Sequence, residues 1–368
     1  MAGRRGNGEG SIYQRADGTW RAQALINGKR HGVSAKTRRE AQTKLRQLLG
    51  EAERGILPPA EKITLNDHIE RWLEIVVRHS VRPRTLKSYR DLTRLYILPT
   101  LGPKKLVQLQ PADVQGLYSA LLDRGLAPKT VRNVHAVLRR SLKQAVDWNL
   151  TPRNVATLVE APRLKREEVV ALTAQQAHTL LSISRGGRWE ALITVALATG
   201  MRIGEVLGLR WGDVDLAVGA LRVQRQIGQD GVFSEPKTTK GRRTIDLPAS
   251  SVVTLKDHRR QQSEARLLVG PAWHHDDLLF CTHAGKPLSQ RNVLRAFKTL
   301  LTQGDLPDVP FHALRHTHAT LLLSQGIHPK IVQERLGHAT IAMTLDIYSA
   351  YVPSMGRDAA DKLDALLA

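Results

Sequence analysis

The sequence predicts a multidomain protein: a small three-stranded β-sheet plus a helix, then an all-α bundle, then a mainly α domain with a small β-sheet. Three observations predict it. At 368 residues the chain is long enough for two or three domains. Strand-like runs lie before Ser34, between Asp213 and Leu247, and at Leu278–Cys281, while helical spacing fills most of the rest. Charge is also uneven. Residues 1–166 carry 32 Lys+Arg against 14 Asp+Glu, and the remainder 23 against 20. A long-range electrostatic grip on nucleic acid therefore belongs to the first part, with a nearly balanced domain behind it.

Residues 1–57 form the first predicted domain. Residues 1–10 are Gly/Arg-rich and read as a basic arm. Ser11–Gln14 reads as a strand. Thr19–Ile26 reads as a second, with Trp20, Ala22, Ala24 and Ile26 on one face. Asn27-Gly28 is a strong hairpin signal, and Lys29–Ser34 the returning strand. Thr37–Glu53 then reads as a helix with Ala41, Leu45, Leu48 and Leu49 inward.

Gly55–Pro59 is a linker to the second domain, residues 62–150. A helical region begins at Thr64, with Leu65, Ile69, Trp72, Leu73 and Val76 on one face. Arg82–Thr85 reads as a loop and cap, with a helix from Thr85 through Tyr96. Two further helices are predicted over Pro111–Leu122 and from Pro128 to about Trp148. Residues 151–166, with Pro152 and Pro162, read as a second linker.

The third domain, 167–368, opens with a helix capped by Thr173 and an apolar run Trp189–Ala198. A turn and strand follow over Asp213–Gln226. Ser234–Leu247 then reads as a strand, a basic turn and a strand. Helices are expected over Val252–Leu267 and Ser289–Leu301, with a buried strand at Leu278–Cys281. The single Cys281 excludes an internal disulfide and a Cys-rich zinc site, so the chain fits a reducing cytoplasm. The polar start reads as no signal peptide, and no apolar run approaches a membrane span.

The chemistry concentrates in Phe311–Tyr351. His312 and Arg315 stand three apart and share a helix face. His338 follows Gly337, which reads as a helix stop. Tyr348 closes a short helical pattern with Ile341 and Leu345. Arg202 sits after Thr199-Gly200, at the start of a helix whose N-terminus favours anions. Two arginines, two imidazoles and a phenol suit a phosphodiester. Arginine grips phosphate oxygens, histidine moves protons near neutrality, and tyrosine is a nucleophile. Two cations would stabilise the charge that builds up when phosphorus is attacked. His316 and His318 read as structural, or as supports behind the residues that would touch the phosphate. The histidines clustered at 312–338 suggest no metal site, because Arg315 would stand among the ligands, and neither do His274 and His275, adjacent on a loop with no matching Cys/His pair after them.

Taken together, TGMRIGEVLGLRW, HALRHTHAT and LGHATIAMTLDIY resemble the tyrosine recombinase (phage integrase) family. The resemblance covers the whole chain. It implies an N-terminal arm-binding domain, a helical SAM-like core-binding domain and a catalytic domain of the tyrosine recombinase fold. It implies Tyr348 as the nucleophile, with Tyr351 its rival. Arg202, Arg315 and His338 would stabilise the transition state, and His312 would assist proton transfer. A basic-hairpin lysine would be the general acid: Lys237 by the pattern Pro-Lys-Thr, with Lys240 second. His338 is the least fixed of these positions in the family. Candidate DNA contacts are Arg15, Arg21, Lys29 and Arg30 on the sheet, and Lys87, Arg90, Lys129, Arg132, Arg139 and Lys143 on the bundle. A merely solvated basic face is the bland alternative.

The implied partners are double-stranded DNA at attachment sites, a homotetramer on that DNA, and an excision factor or host DNA-bending protein. No cofactor is implied, since the phosphotyrosyl bond stores the energy and no Walker motif is present. A type IB topoisomerase or a non-catalytic DNA-binding regulator are the alternatives. The first would not need a separate arm sheet, and the second would have no use for Arg202, Arg315 and Tyr348 together.

Overall fold

A computed structural model describes residues 10–26, 29–53, 63–164, 170–236, 241–348, 364, 365 and 367, with the side chains of 29, 51–53 and 346–348 excepted. The predicted Asn27-Gly28 turn, the Gly55–Pro59 linker, Lys237, Lys240 and Tyr351 lie outside them, as does most of the C-terminal tail. The chain divides into two compact units, Met1–Arg166 and Glu167–Ala368.

In the first unit, strands β1 (Ser11–Gln14), β2 (Trp20–Ile26) and β3 (Lys29–Ala35) form an antiparallel sheet in sequence order. The register pairs Tyr13 with Arg21 and Leu25 with Arg30. Alternation along β2 sends Ala22, Ala24 and Ile26 inward against Ala41, Leu45 and Leu48 of helix α1 (Arg38–Glu53).

The bundle opens with α2 (Leu65–Trp72). Its N-cap Thr64 exchanges hydrogen bonds with Asp67, closing a capping box. A π-helical turn over Leu73–Val77 then inserts one residue into the helical register. The buried position moves from the expected Val76 to Val77. Helix α3 (Pro83–Leu92) starts two residues before the expected Thr85, because proline at the first helical position loses no hydrogen bond. It runs through a second π-turn, Thr93–Ile97, and on to Leu101. Helices α4 (Pro111–Asp123) and α5 (Pro128–Asp147) complete the bundle around Trp72, Leu117, Tyr118 and Leu138. The stretch after them differs from a free linker. Asn154 caps a short 3-10 turn over Val155–Leu158, and Val155, Ala156 and Val159 are buried in the bundle core.

In the second unit, α6 (Ala174–Ser184) is capped by Thr173, and α7 (Glu190–Thr199) is buried on most sides. Helix α8 (Ile203–Leu207) is a short turn behind Arg202. Strands β4 (Val214–Asp215), β5 (Ala220–Val223), β6 (Gln226–Ile227), β7 (Phe233–Ser234) and β8 (Arg243–Asp246) follow. The expected hairpin of β7 with β8 does not form among the described residues. Instead β7 pairs with β6, and β8 pairs with β5 in a sheet of order β4-β5-β8. Leu221, Val223 and Ile245 thereby reach the core.

Helices α9 (Ala249–Val269), α10 (Gln290–Gln303), α11 (Ala313–Ser324), α12 (Pro329–Leu336) and α13 (Ala342–Tyr348) complete the unit. Residues 278–281 make isolated bridges, Arg210 to Leu278 and Cys281 to Pro287, rather than the expected strand. Leu278, Leu279 and Phe280 are buried as core anchors. Cys281 is only half-buried, its Sγ accepting from Nε2 of Gln262 at 3.0 Å. Burial raises its thiol pKa, which disfavours the reactive thiolate. Among the described residues no helix is long and apolar enough to cross a membrane.

Candidate active site

The last turn of α7 is the platform. A helix end leaves backbone carbonyls without intrahelical partners, and here three cationic or imidazole groups take them. Nδ1 of His318 donates to the carbonyl of Leu197 at 2.9 Å, and Nη2 of Arg335 to that of Ala198 at 3.2 Å. Nη1 of Arg315 donates to that of Gly200 at 2.8 Å. The partial negative charge of a helix C-terminus favours such donors. Gly200 adopts φ 61°, and a Cβ there would lie 2.5 Å from Cδ2 of Leu336 and 2.8 Å from Cδ2 of His318. Only glycine satisfies both the backbone and the space.

Arg315 projects from α11 and is 2% exposed. Nη2 donates to the carbonyl of Leu336 at 2.7 Å, at the end of α12, where Gly337 at φ 65° stops the helix. Two helix C-termini thus clamp one guanidinium. Burial, then the charge of Arg202, lowers its pKa to about 9, so it stays a cation at neutral pH.

Arg202 is the N-cap of α8, but the helix does not offer its N-terminus to an outside anion as expected. Glu205 occupies it, Oε2 accepting from the Arg202 backbone N–H at 3.1 Å. Oε1 of the same carboxylate accepts from Nη1 of Arg202 at 2.9 Å, and Oε2 from Nη2 of Arg243 at 3.0 Å. Burial opposes ionisation of Glu205, yet Arg243 and then Arg202 hold its carboxyl below the usual range. Arg243 also donates to the carbonyls of Arg335 at 2.5 Å and Gly241 at 3.1 Å. The Arg202 side chain is 39% exposed, so it is anchored at one edge and open at the other.

His312 is the N-cap residue of α11, with no side-chain capping bond; part of its surface is exposed, but its ring is partly desolvated and lies 4.8 Å centre to centre from that of His316. Desolvation, then the neighbouring His316, Arg315 and Arg202, depress its pKa to about 4. His338 is 5% exposed, and the same causes, with Arg315 and Arg202 the leading charges, bring it to about 3. Both rings are neutral at pH 7. Nδ1 of His338 lies 2.8 Å from Oγ1 of Thr344 on α13.

Helix α13 packs against α11 and α12, with Tyr348 as its last residue. The face differs from the expected one. Thr344 is wholly buried, while Ile341 and Leu345 are each 41% exposed. Arg202, His312, Arg315 and His338 are therefore brought together. Lys237 lies outside the described residues, as does the Tyr348 side chain. Glu205, Arg243 and Thr344 had no assigned role in the sequence; a buried acid three residues after an arginine was the one available signal.

In the first unit, Arg132, Arg139 and Lys143 line one groove of about 1060 Å³ along α5, together with Arg140, to which the sequence assigned no role. Nη1 of Arg140 is held 3.2 Å from the Tyr89 hydroxyl. Lys87, Arg90 and Lys129 are exposed, although Arg90 pairs with Glu74 at 3.1 Å and Lys143 with Asp147 at 2.8 Å. On the sheet, Arg30 is exposed. Arg15 and Arg21 are half-buried rather than fully exposed, because Arg21 lies across the β2–β3 ladder against Gly32. The Lys29 side chain is not among those described.

Residues 164–353 match the Phage integrase family, and residues 64–122 match the phage integrase N-terminal SAM-like domain. The tyrosine recombinase XerC-like protein of Caldanaerobacter subterraneus subsp. tengcongensis is 32% identical over 92% of this chain and 93% of that protein. Among solved structures, the Tn1549 transposon integrase in complex with a circular intermediate DNA superposes with a TM-score of 0.68 at 22% identity, covering 80% of this chain and 99% of that one. A lambda integrase tetramer bound to a Holliday junction gives 0.59 at 19% identity, covering 94% and 96%.

Proposed function

The chain belongs to the phage integrase family, and from that premise we propose that Arg202, Lys237, His312, Arg315, His338 and Tyr348 form its active site. It is a site-specific tyrosine recombinase, an integrase that cuts and rejoins DNA to move a mobile element. The observation that carries the assignment is the convergence of two arginines and two neutral imidazoles beside the helix that ends at Tyr348.

The Tyr348 oxygen attacks the scissile phosphorus. A phosphotyrosyl bond forms at the 3′ end and the bond from phosphorus to the 5′ oxygen breaks. His312 accepts the phenolic proton, and Lys237 gives a proton to the leaving oxygen. A bound phosphodiester brings negative charge beside His312 and raises its pKa from the depressed value, improving it as a base. Arg202 and Arg315 hold the non-bridging oxygens, where charge increases in the transition state. Their pre-formed anchors on Glu205 and on two helix ends mean little reorganisation at the moment of reaction. The 5′ hydroxyl of a partner strand then reverses the step.

Residues 1–57 serve as the arm-binding domain, 62–150 as the core-binding domain and 167–368 as the catalytic domain. Tyr13, Arg21, Leu25 and Arg30, which share the outward face of the sheet by register, support the first assignment. The basic groove of α5 supports the second. Exchange of two strands in each of two duplexes uses four tyrosines, so a homotetramer assembles on DNA in the cytoplasm. A small excision factor or a host DNA-bending protein sets direction.

The test is expression of wild type and Tyr348→Phe in cells carrying the native element, with sequencing of excised circles and rejoined junctions. Circles from the wild type alone are expected. Circles from Tyr348→Phe would move the nucleophile to another residue, Tyr351 first.

A further inference from the structure

His338 and Thr344 are joined side chain to side chain at 2.8 Å, in a buried place. Thr344 is 0% exposed and His338 5%. Among the described residues, neither Oγ1 of Thr344 nor Nδ1 of His338 has a second hydrogen-bond partner. The bond links the segment after Gly337 to α13, whose last residue is Tyr348. The bond has a direction. A neutral imidazole has one N–H and one bare nitrogen, while a hydroxyl can donate or accept. If Nδ1–H donates to Thr344, Nε2 is bare and repels a phosphate oxygen. If the hydroxyl donates to Nδ1, Nε2 carries the proton and can donate to that oxygen.

We propose that Thr344 is a positioning residue whose hydroxyl donates to Nδ1 of His338, fixing the neutral tautomer that presents Nε2–H to the scissile phosphate. The proposal rests on the reading of His338 as a phosphate-binding residue of the recombinase site. It resolves a difficulty in that reading. Burial, and then the charges of Arg315 and Arg202, disfavour the His338 imidazolium. His338 must then stabilise the extra phosphoryl charge as a neutral donor, and only one tautomer can. Because the same hydroxyl belongs to α13, orientation of the donor and seating of the nucleophile helix are set by one contact. Residues that orient a histidine through its second nitrogen change function by roughly 10- to 100-fold when removed from metal sites, and a comparable loss is expected here.

The test uses the full chain with histidine rings labelled with nitrogen-15, the His338 signal being assigned by its loss in His338→Gln. The proposal expects Nδ1 bare and Nε2 protonated in the wild type; a protonated Nδ1 overturns it. Cleavage is then followed in a single turnover on a nicked duplex carrying the core site found at the junctions, where the covalent complex accumulates. Thr344→Val is expected to cleave at least about 10-fold slower with DNA affinity retained, and Thr344→Ser to restore most of the rate. In a His338→Gln background, Thr344→Val is expected to cost less than about 2-fold. An undiminished cost in that background would place the role of Thr344 in helix packing and overturn the proposal. Cleavage by His338→Ala at the wild-type rate would instead remove the underlying reading of His338, a result distinguishable from either outcome above.

Discussion

Nη2 of Arg243 lies 3.0 Å from Oε2 of Glu205, with the two side chains 6% and 2% exposed. The pair joins β8 to the start of α8, so it fixes where Arg202 stands. Breaking a buried ion pair from one side leaves an uncompensated charge, at a cost of roughly 3–5 kcal/mol. Glu205→Gln, nearly isosteric, should lower unfolding free energy by that order in urea titrations. Arg202→Ala should differ, because that side chain is partly exposed and Glu205 keeps Arg243. Its stability should stay within about 1 kcal/mol of wild type, while single-turnover cleavage is lost.

Arg315→Lys should fail despite the retained charge. A lysine ammonium is a point donor, whereas the guanidinium reaches the carbonyls of Gly200 and Leu336 at once. One buried carbonyl left bare costs about 1–3 kcal/mol. Cleavage should fall by at least about 100-fold, the scale of losing one oriented electrostatic donor. A Lys variant that cleaves at near wild-type rate would mean that the fork is not required.

Gly200→Ala should destabilise the second unit without removing any charged group. Its Cβ would stand 2.5 Å from Leu336 and 2.8 Å from His318, at a backbone angle alanine disfavours. Overpacking of this kind costs about 1–3 kcal/mol. Thermal unfolding should show the loss, and cleavage should suffer through the displaced Arg315.

Stability should fall as pH drops from about 6.5 towards 4. His318 and His338 are buried with folded pKa values of about 4 and about 3, below their ordinary 6.5. The unfolded chain therefore binds protons first. The neutral-ring contribution is complete above pH 6.5 and erodes below it, by about 1.4 kcal/mol per pH unit for each such ring. For His318 the erosion ends near pH 4, where the folded state also protonates. Urea midpoints at pH 7.5, 6 and 5 check this. His318→Gln should flatten the dependence.

Salt dependence should identify the bundle groove. If Arg132, Arg139 and Lys143 each neutralise a phosphate, changing all three to Gln should reduce the slope of log affinity against log salt by roughly 0.9 for each phosphate no longer neutralised. An unchanged slope would make the groove a solvated face.

Much of the local structure was legible because it depends on neighbours in sequence. Thr64 and Thr173 cap their helices because a hydroxyl three residues from a backbone N–H needs nothing else. Alternation in β2 named Ala22, Ala24 and Ile26 as inward. Gly337 announced a helix stop, and the spacing of His312 and Arg315 announced neighbouring positions at the start of one helix. Register was less legible. The π-turn at Leu73–Val77 moved a buried position by one residue, and an extra backbone residue leaves no mark on apolar spacing until the helix is packed.

The sequence by itself determined most of the helices and the first sheet, the placement of positive charge in the first 166 residues, and the candidate residues for a phosphodiester. Tertiary structure alone decided how that set is held. Glu205 meets Arg243 across 38 positions, and Arg315 meets Gly200 across 115. Strands β7 and β8, adjacent in sequence, take different partners. Thr344 turns inward while Ile341 and Leu345 stay exposed, against the simple apolar pattern. The reason is the same in each case. A cap or a period is satisfied within one turn of chain, but a buried charge or an orphan carbonyl must find its partner wherever packing brings one.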